Sequence, residues 1–161
     1  MRLLLIAGLS IYAGRFCKWH GVMWLCRTLL CLGIIVGIPS VWETLAFSWN
    51  PDFQAPRLPL GPTHTNYHAF REFTLTLGTE LIMLYIIFLP FEHRIRPFWN
   101  VMLIAALGYY VGWWLPWLIF GYHAPNELSQ IDHLAATVFS LAGVACAWQN
   151  FPKPHHYGPT S

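Results

Sequence analysis

Residues 68–90 read HAFREFTLTLGTELIMLYIIFLP, and this stretch decides the class of the protein. His68, Glu72, Thr76, Thr79 and Glu80 recur in it at helical spacing. At about 100° per residue, these five fall within roughly a third of a helix circumference. Most of the other residues are Leu, Ile, Phe, Met and Tyr, and the stretch is long enough to cross a bilayer, which takes about 20 residues. Ionisable groups at membrane depth are costly, so they face a protein interior or a wet cavity, and their default reading is functional. The stretch therefore predicts a transmembrane helix whose polar line marks a site.

The rest of the chain supports a membrane protein. Of 161 residues, 56% are hydrophobic and 10% charged, and the mean hydropathy is +0.45. Soluble domains carry about 25% charged residues, so this chain lacks the charge to wet a globular surface. Nine Trp, eleven Phe and seven Tyr give the aromatic excess expected at membrane–water interfaces. The formal net charge is +2 and the basic residues are scattered over short loops, which argues against nucleic-acid binding. The four cysteines, Cys17, Cys26, Cys31 and Cys146, form no CxxC pair. They read as small buried hydrophobes rather than as a disulfide or thiol redox site.

Hydropathy predicts a single all-α membrane domain over 1–161, a four-transmembrane-helix bundle with spans at about 22–47, 67–89, 98–121 and 131–148. Pro39 and Pro116 lie inside spans one and three and should kink them or loosen a turn. Residues 1–20 contain an apolar run too short to span, flanked by Arg2, Arg15, Lys18 and His20. It resembles the core of a signal peptide, but an interfacial helix leading into span one is the preferred reading. Residues 151–161 read as a flexible tail. Pro90 and Pro97 bracket a short turn with Glu92, His93, Arg94 and Arg96, which makes spans two and three a hairpin. Four spans put the basic residues of the N-terminal end, of this turn and of Lys153 on one side, so both termini are expected in the cytoplasm.

The polar groups of interest gather at the opposite ends of the spans. Span two begins with His68, Arg71 and Glu72, and span four with Asp132 and His133, continuing through Thr137 and Ser140. Two polar faces that start at one membrane level can meet in a bundle, so His68, Glu72 and His133 are expected to share one pocket opening away from the cytoplasm. His68 and Glu72, four apart, can reach one point as an acid/base or metal pair. Glu80, deeper and without a cation within one turn, should be neutral or hydrogen-bonded to another helix, with Tyr109, Tyr110 or a span-three Trp as donor. The run Ser129-Gln130-Ile131-Asp132 resembles a capping box, which gives Asp132 a structural role at a helix start. Arg71 is an ion-pair partner, an anion anchor or a side chain reaching for the interface. In span three, Gly108, Gly112 and Gly121 suggest close helix approach. Tyr109, Tyr110, Trp113, Trp114 and Trp117 form either an interfacial belt or a flat wall for a sterol-, quinone- or polyene-like molecule.

Three functions compete on these residues. In the first, a lipophilic small molecule is bound within the membrane and processed by isomerase- or cyclase-like acid/base chemistry. Glu80 or Glu72 serves as the acid or base, His68 and His133 as partners, and Arg71, Tyr109, Trp113, Trp114, Trp117 and Thr137 as ligand contacts. Positioned proton transfer contributes roughly 10²–10⁴-fold. In the second, His68, Glu72, Asp132 and His133, with His123 or His64, hold a metal, or His68 and His133 hold a haem; the set does not select an ion. In the third, the protein is a non-catalytic accessory subunit of a larger membrane complex. In all three the partners are the bilayer and either a lipophilic molecule or other membrane subunits.

Overall fold

The computed structural model describes residues 19–52, 64–124 and 126–152. These are all helical, with no strand among them: α1 (Trp19–Phe47), α2 (His64–Ile87), α3 (Arg96–Phe120) and α4 (Glu127–Ala147), with short 3-10 turns at Phe91–His93 and Trp148–Asn150. The sequence-predicted tail lies outside these residues from 153 onward. Of the expected interfacial segment, only Trp19 and His20 are described, and they already belong to α1. At about 1.5 Å per residue the four helices are about 30–45 Å long, matching a bilayer core. Three segments, Val22–Phe47, Arg96–Phe120 and Glu127–Asn150, are long and apolar enough to cross a membrane. The helix α2 has a matching length, but its polar residues keep it out of that class.

Hydrogen bonds at the helix ends fix the directions. Arg27 Nε donates to Ile87 O at 3.2 Å, while Asn66 Nδ2 donates to Phe47 O and Asn50 O at 2.8 and 2.9 Å, so α1 and α2 run antiparallel. Trp99 Nε1 donates to Val144 O at 2.8 Å and the Arg96 amide to Pro152 O at 2.9 Å, which sets α3 antiparallel to α4. Each helix packs on its chain neighbour, and α4 returns to α1 to close the ring. The start of α1, the end of α4 and the α2–α3 turn therefore share one end of the bundle. That end carries Arg27, Arg94 and Arg96. Burial lowers the Arg94 guanidinium from its ordinary value, and the Arg27 charge lowers it further against the opposing pull of Glu92.

The tightest seam joins α1 and α4, and it is built from small residues. A Cβ on Gly33 would run into Ser140 Oγ and lie 2.7 Å from the Ser140 backbone nitrogen; one on Gly143 would lie 2.7 Å from Leu30 N and 2.8 Å from Cys26 O. The two backbones thus meet directly, as small-xxx-small spacing permits. The expected close approach at Gly108, Gly112 and Gly121 is not found among the described residues: a Cβ at each meets none of their atoms within 4 Å. Gly121 instead ends α3 in the left-handed region (φ 71°), its amide donating to Trp117 O at 2.9 Å. Helix α4 starts earlier than expected because Asn126, not Ser129, is its cap; Asn126 Oδ1 accepts from the Ser129 amide at 2.8 Å. The capping role expected of Asp132 is thereby removed.

The apolar core fills the Arg-bearing half of the bundle, with Cys26, Leu30, Met83, Ile87, Met102 and Val144 all fully buried. Cys26 and Cys146 lie near each other there as free, buried thiols of α1 and α4. Outward faces carry large apolar side chains on every helix, among them Ile35, Leu81, Ile104, Leu118 and Ile131, with Ile104 and Leu118 each 70% exposed. An apolar surface of this extent is compatible with an integral membrane protein.

Candidate functional site: a lateral groove and its polar backing

In the half of the bundle away from the arginines, α2 and α3 part to leave a groove of about 400 Å³. Its polar lining is Glu72, Thr76, Thr79 and Tyr109, its apolar lining includes Leu75, Ile104 and Trp113, and Gly108 and Gly112 form part of its floor. The glycines make the groove: with no side chain at these positions, α3 leaves the space open beside α2. Leu75 is 60% exposed, so the groove opens sideways between outward-facing apolar side chains.

Aromatic rings build its back wall. Tyr109 meets Tyr110 and Trp113 with ring centroids 4.9 Å apart in both cases, edge to face. Thr76 and Tyr109 line the groove together. Behind Trp113 lies His133, whose ring sits 4.4 Å from the indole at 31° and whose Nε2 shares a 2.7 Å hydrogen bond with Ser40 Oγ. Two further hydrogen bonds tie α3 to α4: Tyr110 Oη to Ser140 Oγ at 2.7 Å, and Trp114 Nε1 donating to Thr137 Oγ1 at 3.0 Å. Thr137 in turn donates to His133 O at 2.6 Å.

Glu80 occupies the inward-facing line of α2 with Ala69, Thr76, Met83 and Ile87, and is 8% exposed. Its carboxyl makes no hydrogen bond among the described residues. Tyr109 and Tyr110 lie close to it, yet the Tyr110 hydroxyl bonds Ser140 instead. The expected neighbours are thus present, while the expected hydrogen bond is not made.

The structure separates the three residues expected to share a pocket. Glu72 lines the groove, His133 lies on the far side of Trp113, and His68 is exposed and outside the groove. Steps of four residues advance about 40° beyond a full turn, so a line that faces inward at Glu80 has rotated by about 120° at His68. His68 instead pairs with His64, Nε2 to Nε2 at 2.8 Å. Arg71 is exposed and not part of the groove. Trp117 is exposed, 5.9 Å from the ring of His123, and Asp132 is half-buried beside His133. Among the described residues no three of His, Cys, Asp and Glu converge to hold a metal.

Sequence reasoning missed Ser40 as the partner of His133, and Gly33, Gly37 and Gly143 as the close seam. Gly33 and Gly37 stand in a G-x-x-x-G spacing that signals such a seam. Compared with protein-family models, curated proteins and solved structures, the chain matches none.

Proposed function

We propose that this is a four-span integral membrane protein, with both termini cytoplasmic, that binds a lipophilic small molecule in the α2–α3 groove and acts on it by proton transfer. The observation that carries this reading is the composition of the groove. One carboxylate, two threonine hydroxyls, a phenol and an indole line a volume within the roughly 300–1,000 Å³ usual for small-molecule sites. The groove opens among apolar side chains, so its occupant enters from the acyl-chain region, with its apolar part along Leu75 and Ile104. Its polar end is a hydrogen-bond donor or a cation, because the one charged group in the lining is the Glu72 carboxylate. Glu72 is the group placed to take or return a proton at the ligand, and the Tyr109 hydroxyl is the donor beside it. Glu80, buried near Tyr109, acts on the site through the field of its carboxyl. On this reading α2 is the fourth span: Arg71 lies toward the headgroup level, Glu72 toward the groove and Glu80 toward the bundle interior.

Extraction of the purified protein into organic solvent, followed by mass spectrometry, tests the proposal. A lipophilic species near one per protein is expected from the wild type and from His123→Ala, and its loss is expected from Glu72→Ala and from Gly108→Leu, which fills the groove. Equal recovery of the same species from all four proteins would refute it.

One observation favours a second reading, an accessory subunit of a larger complex. Gly108 and Gly112 carry small-xxx-small spacing on α3, and among the described residues nothing lies within 4 Å of a Cβ at either. Loss of a co-purifying membrane protein from Gly108→Leu, with no lipophilic species in the wild type, would support that reading over the first.

A further inference from the structure

From the His64–His68 pair at the Arg-poor end of α2, we infer a binding site for a divalent transition-metal ion of tetragonal preference, copper(II) above nickel(II) and zinc(II). The site is independent of the groove and of the function proposed for it.

The two histidines stand four residues apart in the first turns of α2, both exposed, with their rings edge to face at 4.3 Å between centroids. Side chains at i and i+4 lie over one another on a helix, so one ion can reach both. The backbone is already helical there, and the Asn66 side chain holds it to the end of α1 through Phe47 O and Asn50 O. Tyr67 packs against both rings, stacked on His64 at 5.8 Å and edge to face with His68 at 5.5 Å. The rings are therefore held in place before any ion arrives.

The Nε2 atoms are 2.8 Å apart, so one carries a proton and the other accepts it. An ion takes the place of that shared proton. The proton on the donating Nε2 moves to Nδ1 of the same ring, both imidazoles stay neutral, and both Nε2 lone pairs turn to the metal. The spacing can be compared with the two common geometries. With metal–nitrogen bonds of about 2.0 Å, two ligands at 90° have their nitrogens roughly 2.8–2.9 Å apart, and at the tetrahedral angle about 3.3 Å. The observed spacing fits adjacent corners of a square, the arrangement copper(II) and nickel(II) adopt, and copper(II) also heads the affinity order. Water fills the remaining positions, since among the described residues no third His, Cys, Asp or Glu converges on this pair.

The test uses the full-length protein in detergent, titrated with Cu²⁺ alone and followed by electron paramagnetic resonance and calorimetry. The wild type should show a tightest site with hyperfine structure from two nitrogens. His64→Ala and His68→Ala should each weaken that site at least about tenfold, because chelation by two rings becomes binding by one. Neither change should alter the helical circular dichroism, as both side chains are exposed, and His123→Ala should leave the site intact. Cu²⁺ should also raise the melting temperature of the wild type and not of either variant. An unchanged affinity and two-nitrogen spectrum in His64→Ala would assign the copper to another site and overturn the inference. Tighter binding of Zn²⁺ than of Cu²⁺ at this pair would overturn its geometric part.

Discussion

Glu80 and Glu72 are a little over two turns of one helix apart, and the structure gives them different work. Glu72 opens on the groove; Glu80 lies behind it, buried and without a hydrogen bond among the described residues. A desolvated carboxyl with no partner is a net cost to the fold, so Glu80→Leu should be at least as stable as the wild type. A gain of about 1–3 kcal/mol is expected, read as a shift in the midpoint of unfolding in detergent. The same variant should bind the groove ligand but process it more slowly, and Glu80→Gln should behave alike in turnover. Marked destabilisation of Glu80→Leu would reveal a partner for the carboxyl; full turnover in a stable Glu80→Leu protein would remove Glu80 from the mechanism. His133 is a contrast. Its hydrogen bond to Ser40 joins α4 to α1, so Ser40→Ala should cost about 1 kcal/mol of stability and leave ligand recovery unchanged.

The helices were legible as apolar runs, since hydropathy places the middle of a span well. Their ends moved outward by several residues where polar residues start a helix: α2 begins at His64 and α4 at Glu127, under the Asn126 cap. What hydropathy cannot supply is azimuth. Small residues at 33, 37, 108, 112 and 143 look alike in sequence, and only packing tells that Gly33 and Gly143 touch a backbone while Gly108 and Gly112 leave open space among the described residues. In the same way, sequence puts His68 and His133 in the early turns of two helices, whereas the rotation along the i+4 line turns His68 outward. The two kinds of glycine give opposite expectations. Gly33→Ala and Gly143→Ala overpack a backbone contact and should each destabilise by about 1–3 kcal/mol. Gly108→Ala adds a methyl group to open space, so it should preserve or slightly raise stability through better helix propensity while narrowing the groove. Equal loss of stability at all three positions would show that α3 packs more closely than described.

At the scale of the whole molecule, the ring of four antiparallel helices is closed at one end by an apolar core and parted at the other by the groove. Arg27, Arg94 and Arg96 gather at the closed end with Glu92 and His93, and His64, His68, Arg71, Glu72, His123, Asp132 and His133 lie toward the open one. If the arginine end is cytoplasmic, a cysteine placed at Asp52, which is exposed, in a protein lacking its native cysteines should be labelled by an impermeant maleimide from outside the cell. Labelling only after permeabilisation would invert the topology. The most direct measurement of the central claim is an experimental density map of the protein in a lipid nanodisc. The expected result is non-protein density between α2 and α3, reaching from Leu75 and Ile104 to within hydrogen-bonding distance of the Glu72 carboxylate. A groove collapsed by α2 packing onto Gly108 and Gly112, or filled by a helix of another subunit, would contradict it.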